Sequence, residues 1–252
     1  MRTIWVAVVC AAIAACGSDG KDKGSSDAAM NGPDAKRFLD APPTMNEMIT
    51  ITGNASERSA QGGGALAGVK IEAFRNSDET TAIAATTTDG QGNYSLVIPT
   101  NGEAIDGFLK ATLNQFKTTY LYPPYALGMD FSGATVIMVK PATYDLLFNA
   151  TSTTPMPGKG LVAMVITDNT NPVAGAVATS TPATPDVHYN EMVGTFVLPT
   201  ANATSTYTDG IAYLFNLAPG QVTVSATKTG MTFASHAAKA WADELTTTVI
   251  VP

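Results

Sequence analysis

Cysteine and histidine are nearly absent from this sequence, each occurring twice in 252 residues. That leaves little material for a disulfide framework or a metal site. Charge is scarce as well. Asp, Glu, Lys and Arg make up 14% of the chain, where soluble domains usually carry about 25%. A disordered chain combines low hydrophobicity with high net charge, and the apolar fraction of 45% argues against that. Basic residues are outnumbered 14 to 21, for a formal net charge of −7. Nucleic-acid binders need Lys and Arg to displace phosphate counterions, so no nucleic-acid partner is expected. No run of about 18 apolar residues follows the first sixteen positions, which removes a later membrane-spanning helix. No G-x-S-x-G, P-loop or dinucleotide fingerprint occurs. What remains is a chain long enough for two domains of about 100 residues each and rich in strand-favouring Thr.

The N-terminus reads as an address. Arg2 supplies a positive start, and Ile4 to Ala14 form an apolar stretch of secretory length, too short to span a bilayer. It ends Ile13-Ala14-Ala15-Cys16, which resembles a bacterial lipobox: an aliphatic residue, two small residues, then the cysteine that takes lipid. Residues 1–15 are expected to be a lipoprotein signal and Cys16 the lipidation site. Cys10 follows Val8 and Val9, which a peptidase pocket for small side chains rejects. With Cys10 removed and Cys16 acylated, the mature domains have no disulfide, and packing alone must stabilise them. Several acyl chains, at about 0.8 kcal/mol per buried CH₂, give a stable anchor. Gly17 in place of an Asp resembles the outer-membrane class. The expectation is an exported protein held to the cell envelope, at the outer membrane, through its N-terminal lipid.

Residues 16–45 are rich in Gly, Ser, Asp, Lys and Pro and read as a flexible tether, with Phe38-Leu39 its only large apolar pair. Period-two alternation then begins. Ile49 and Ile51 alternate with Thr50 and Thr52. Val69, Ile71 and Ala73 alternate with Lys70, Glu72 and Phe74. Tyr94, Leu96 and Ile98 share a face opposite Ser95 and Val97. These are half-buried strands punctuated by Gly62-Gly63-Gly64, Asp89-Gly90 and Asn101-Gly102. Tyr144, Leu147, Phe148 and Thr151 fall at helical spacing after Pro141, which predicts a short helix within a 141–159 connector. Leu161 to Ile166 is a continuous apolar run, as in a central strand. Val222, Val224 and Ala226 alternate again, and Thr248 to Val251 ends the chain as a strand. The pattern predicts an all-β fold of two β-sandwiches over 46–140 and 160–252. The Pro/Gly-rich stretch at 153–160 predicts that the halves fold separately.

The halves share a phrase. Ala67-Gly68-Val69-Lys70-Ile71 is followed by Thr88-Asp89-Gly90-Gln91-Gly92-Asn93-Tyr94. Pro172-Val173-Ala174-Gly175-Ala176-Val177 is followed by Thr208-Asp209-Gly210-Ile211-Ala212-Tyr213, then Leu217-Ala218-Pro219-Gly220. In this order the motifs resemble the carboxypeptidase regulatory-like domain. The resemblance implies two tandem seven-stranded, Greek-key, transthyretin-like (prealbumin-like) sandwiches. It covers most of 46–252, except for an insertion at Thr181 to Ser205. Asp before Gly caps its own turn and Gly supplies positive φ, while the aromatic that follows is expected between the sheets.

Candidate chemistry is thin. His188-Tyr189-Asn190-Glu191 matches H-x-x-E, with His236 a nominal third zinc ligand. Ser225 to Lys228 matches S-x-x-K, and Lys228 to Gly230 matches K-T-G, but one lysine cannot serve both motifs. Asp89 to Asn93 lacks the ligands of a calcium loop and reads as a hairpin turn. No cofactor and no metal are expected. The expected function is a non-catalytic, lipid-anchored envelope or cell-surface structural or interaction module with an envelope-protein partner. The alternative is a carbohydrate-binding lipoprotein that stacks a glycan on Tyr120, Tyr122 and Tyr125, related in fold to starch-binding domains.

Overall fold

Wherever apolar residues alternate in the sequence, the computed structural model has a strand. It describes residues 46–59 and 62–252. The first half contains β1 (Met48–Glu57), β2 (Lys70–Arg75), β3 (Ala84–Thr87), β4 (Asn93–Pro99), β5 (Gly107–Thr112), β6 (Thr119–Tyr122) and β7 (Phe131–Met138). Helix α1 (Pro141–Ala150) follows. The second half contains β8 (Gly160–Ile166), β9 (Val177–Thr181), β10 (Val187–Val193), β11 (Phe196–Thr200), β12 (Ile211–Leu217), β13 (Gly220–Thr227), β14 (His236–Ala240) and β15 (Leu245–Ile250). The fold is all-β. Alternation translates directly into burial in β4, where Tyr94, Leu96 and Ile98 are buried and Ser95 and Val97 are exposed.

The halves repeat one plan. In the first, β4-β1-β7 forms a sheet, with β1 antiparallel to β4 and parallel to β7. In the second, β12, β8 and β15 take those places with the same directions. The opposing layers are β6-β5-β2-β3 in the first half and β14-β13-β9 in the second. The insertion at 181–205 becomes the β10–β11 hairpin, which extends the second half beside β12.

Hydrogen bonds fix which residues correspond. The Val69 N–H donates to Thr88 Oγ1 at 2.9 Å, and that hydroxyl donates to the Leu66 carbonyl at 2.6 Å. The Ala176 N–H donates to Thr206 Oγ1 at 2.9 Å, and that hydroxyl donates to the Val173 carbonyl at 2.6 Å. The Gly92 carbonyl accepts from Ala55 at 2.8 Å, as the Gly210 carbonyl does from Ile166. Thr88 therefore corresponds to Thr206 and Gly92 to Gly210, two residues away from the pairing of the two Thr-Asp-Gly phrases. Tyr94 then corresponds to Ala212, not to Tyr213. Tyr94 lies between the sheets with its hydroxyl donating to the Ala134 carbonyl at 2.7 Å. Tyr213 sits on the opposite face of its strand, which corrects the expectation that it fills a sandwich interior.

The two sandwiches form, but they are not separate. β15 pairs in parallel with β8 on one side and with β6 of the first half on the other. One nine-stranded sheet thus runs β11-β10-β12-β8-β15-β6-β5-β2-β3 through both halves. The segment at 153–160 is a crossing within one body. The consequence is burial on faces that alternation assigned to water. Phe74, Phe108, Tyr120 and Tyr122 project from the first half into the same cluster as Val162, Leu214 and Ile250 of the second. Trp241 covers them, with Tyr120 stacked on it at 4.2 Å. Lys239 lies 4.0 Å over the Trp241 ring and pairs with Glu79 of the first half.

Helix α1 starts at Pro141, whose fixed φ and missing N–H suit a first helical turn. Tyr144 and Phe148, one turn apart, face the second half's sheet. Phe148 meets Phe215 edge-on at 4.6 Å, in a cluster with Leu161 and Leu245. No helix of the described residues is long and apolar enough to cross a membrane.

Candidate binding cleft

The second half's sheet is apolar on both faces. Leu214, Met164 and Ile250 face β14-β13-β9. Ala163, Val165, Tyr213, Thr247 and Val249 face the other way, and α1 and β7 cover them only in part. These residues stay partly exposed although they lie on central strands. The gap is a cleft of about 1440 Å³. It begins at the β10–β11 hairpin, passes under α1, and continues between β7 and β6 into the interior of the first sandwich, past Leu121, Leu127 and Ile105. On that side β6 pairs with β15 and meets β7 only at its start, where Thr119 Oγ1 donates to the Ile137 carbonyl at 2.9 Å. Its walls are mostly hydrophobic side chains, with Thr, Ser and Asn among them and Glu57 and Arg58 at the end of β1.

One polar cluster is buried beside them. Asn190, on β10, is 5% exposed. Its Nδ2 donates to Asp209 Oδ2 at 2.7 Å, and its Oδ1 is buried without a hydrogen-bond partner. Burial pushes the Asp209 carboxyl above its ordinary range, with the Asn190 hydrogen bond and the Arg58 charge acting the other way. The Tyr213 phenol is pushed up to about 12, first by burial and then by the Asp209 charge, with a hydrogen bond to the Asn190 side chain and the Arg58 charge acting the other way. Arg58 comes from the end of the first half's β1, so the cluster straddles the two halves. An apolar cavity with a few convergent polar groups is the usual form of a small-molecule site. Sequence reasoning missed Asn190. The only signal was a polar residue beside Tyr189 in a segment read as an insertion.

The residues expected to carry function fall elsewhere. Cys16 and the tether lie outside the described residues. Tyr120 and Tyr122 are buried, 7% and 3% exposed. Tyr120 stacks on Trp241, and Tyr122 stacks on Phe108 at 5.0 Å. Their faces are already occupied by protein, which corrects their assignment to glycan stacking. Tyr125 alone is exposed, at 49%, beside the cleft.

The zinc phrase is dispersed by its own secondary structure. His188 and Glu191 stand three apart on a strand and point to opposite faces. His188 Nε2 meets Thr153 Oγ1 at 3.0 Å, and Glu191 accepts from Thr200 Oγ1 at 3.1 Å. His236 belongs to another sheet, where its Nε2 meets Thr248 Oγ1 at 2.7 Å and burial lowers its pKa. No group of three or more His, Cys, Asp or Glu able to hold a metal is found among the described residues. The Asp89 carboxylate closes its own turn, accepting from the Gln91 and Asn93 N–H groups at 2.9 and 2.8 Å.

The sequence matches no protein-family model and no curated protein. Solved structures with some likeness include the Bacillus anthracis TIE protein, at 14% identity and a TM-score of 0.26 over 81% of this chain. This chain spans 34% of that protein's length. The shaft pilin SpaA of Lactobacillus rhamnosus GG matches at 11% identity and TM-score 0.25, covering 81% of this chain and 98% of the pilin. GBS52, the minor pilin of Streptococcus agalactiae, gives 11%, 0.25, 81% and 94%. At these values the likenesses carry no argument, and the functional reading rests on the chain's own residues.

Proposed function

We propose that this chain is a non-catalytic envelope protein, anchored by lipid at Cys16, whose two carboxypeptidase regulatory-like sandwiches serve a structural or interaction role. The supporting observation is how the chain uses its titratable side chains. His188, Glu191, His236 and Asp89 each hold a different part of the fold, through Thr153, Thr200, Thr248 and a local turn. A hydrolytic site needs such groups converging on one reacting atom. A body locked through β15 and a long tether from the membrane suit a module that presents a surface at a distance. The glycan-binding alternative retains Tyr125 only, and a single ring is a poor platform for a sugar chain.

The test is fractionation with metabolic labelling. The wild type should sediment with membranes and take up labelled palmitate, and Cys16→Ser should do neither. A Cys16→Ser protein that still sediments and labels overturns the anchor. Turnover of an ester, amide or glycoside panel by the purified chain overturns the non-catalytic reading.

A further inference from the structure

We propose that the cleft between the halves is the docking site of the chain's own N-terminal segment, with Phe38 and Leu39 seated on the uncovered face around Val165 and Val249. Lipid at Cys16 plays no part in this docking, so it stands or falls apart from the anchor.

Three observations carry it. The first is where the uncovered face lies. Val165, Thr247 and Val249 are on central strands of the nine-stranded sheet yet stay partly exposed. Residues in such a position are normally covered by a second layer. Helix α1 supplies that layer only around Phe215 and Leu161. Parallel pairing aligns the ends of β8, β15 and β6, with Val165 beside Val249 and Thr248 beside Tyr122. From that end of β6 the chain reaches the start of β7 through residues 123–130 alone. β7 runs parallel to β1, with Phe131 beside Ile51. The uncovered face and the start of β1 therefore lie at the same end of the molecule, and the segment that precedes Asn46 joins the body there.

The second is reach and composition. Phe38 and Leu39 are the only large apolar pair in residues 16–45, and Phe38 stands eight positions before Asn46. Eight extended residues span up to about 27 Å. Neighbouring strands lie about 4.8 Å apart and packed layers about 10 Å, which places Val249 within roughly 20 Å of the start of β1. Ala41-Pro42-Pro43-Thr44 stands between the pair and the strand. Proline favours an extended chain and brings no N–H, so this stretch carries fewer donors past an apolar wall.

The third is the mixture of the wall and what adjoins it. Thr143, Thr167, Asn169 and Thr195 stand among the apolar lining residues. A peptide uses both kinds of surface, its side chains on the apolar part and its backbone on the polar part. Lys36 and Arg37 adjoin the apolar pair, and the Asp130 and Asp168 carboxylates are exposed at this end of the body. A segment joined to its site by a short linker acts at an effective concentration of about millimolar, which favours it over any separate occupant. Docking leaves residues 16–35 as the free length of the tether.

The test is limited trypsin digestion of the full chain carrying Cys16→Ser, read by mass spectrometry. Lys23 and Arg37 lie in the same segment. A synthetic peptide of residues 16–45 with the same serine gives the intrinsic cleavage rate at each. Cleavage after Lys23 should be as fast in the chain as in the peptide. Cleavage after Arg37 should be about tenfold slower in the chain or slower still, because it follows the undocked fraction. Changing Phe38→Ser and Leu39→Ser together should restore the rate of the matching peptide. Val165→Trp, which fills the seat without touching the segment, should restore it as well, and Val249→Trp does so from the adjacent strand should the first variant fold poorly. Four results overturn the proposal. One is an Arg37 rate equal to the peptide's in the unaltered segment. Two more are protection that survives the Phe38 and Leu39 changes, and protection that survives both tryptophans. The last is protection lost on dilution, which would make the segment of a second copy the occupant.

Discussion

The Tyr120 ring lies flat on the Trp241 indole, 4.2 Å between centroids and 6° between planes, and the two residues come from different halves of the chain. This contact sits beside the parallel pairing of β6 with β15, so packing and hydrogen bonding cross the same junction. A stack of this kind is worth about 0.5–1.5 kcal/mol beyond the area it buries.

Cooperativity follows from the shared sheet. Residues 46–252 should unfold in one transition, with calorimetric and van't Hoff enthalpies agreeing. Residues 46–152 alone lose β15 and Trp241, which frees the β6 edge and uncovers Phe74, Phe108, Tyr120 and Tyr122 on the face of β2, β5 and β6, a surface prone to association. That fragment should aggregate or melt far below the intact chain. Two transitions in the intact chain, or a monomeric fragment with its own native-like melt, would show that the junction contributes little.

Trp241 should be worth more than any exposed aromatic. Trp241→Ala removes the cover from Tyr120 and Phe108 and the ring beneath Lys239, and should cost about 3 kcal/mol. Tyr125→Ala, at an exposed position, should stay within about 0.5 kcal/mol. Urea denaturation of the two variants beside the wild type measures both.

Thr88 and Thr206 should be equally intolerant of valine. Each hydroxyl accepts one backbone N–H and donates to one carbonyl in a buried setting. Valine keeps the shape and removes both bonds, leaving two buried polar groups without partners. Each change should cost about 2–4 kcal/mol. Thr87→Val, at an exposed position of the edge strand β3, is the control and should be near neutral.

His236 gives a pH dependence of stated sign. Burial lowers its pKa below the ordinary 6.5, so the unfolded chain binds the proton first. Its contribution to stability is therefore complete above pH 6.5 and falls as the pH drops from there toward the folded-state value. Asp209 and Glu244 are raised by burial and act in the opposite sense, gaining stability as the pH falls through their folded-state values. The difference between wild type and His236→Gln isolates the histidine. The wild type should lose stability relative to the variant as the pH is lowered from 7 to about 5. A difference that stays constant over that window removes the effect.

Much of the fold was legible from residues whose neighbours are near in sequence. The alternation at 93–99 and 222–226, the helix after Pro141 and the duplicated plan all depend on contacts within one strand, turn or half. What was not legible depends on the other half. Phe74 and Phe108 oppose the core-facing rows of their strands and are buried in a cluster that draws in Val222, Ala238, Ala240 and Trp241, more than a hundred residues later. The same packing removed Tyr120 and Tyr122 from the surface. H-x-x-E sets Glu191 beside His188 in the sequence, but alternation along β10 sends the two to opposite faces. Asn190 carries no motif of its own, and its pairing with Asp209 and Tyr213 depends on β10 lying beside β12.

The turn glycines provide the sharpest test of how the duplicated phrase is aligned. The pairing of Thr-Asp-Gly with Thr-Asp-Gly makes Gly90 the equivalent of Gly210 and assigns to both the positive φ of a tight turn. The backbone assigns it to Gly92, at φ +78°, and to Gly210, at φ +67°. A Cβ on Gly92 would stand 2.7 Å from the Ala55 carbonyl oxygen, and one on Gly210 2.5 Å from the Ile166 carbonyl oxygen. Both oxygens belong to the first strand of their own sandwich and have no room to retreat without breaking the sheet. A Cβ on Gly90 meets nothing within 4 Å. Gly92→Ala and Gly210→Ala should therefore each cost at least about 1–3 kcal/mol from the left-handed backbone alone, with the carbonyl clash added. Gly90→Ala should be neutral or slightly stabilising, because alanine reduces the freedom of the unfolded chain. Denaturant midpoints of the three variants decide the point. If Gly90→Ala is the damaging change and Gly92→Ala is silent, the two-residue offset between the halves is wrong, and with it the placement of Tyr213 on the cleft side of β12.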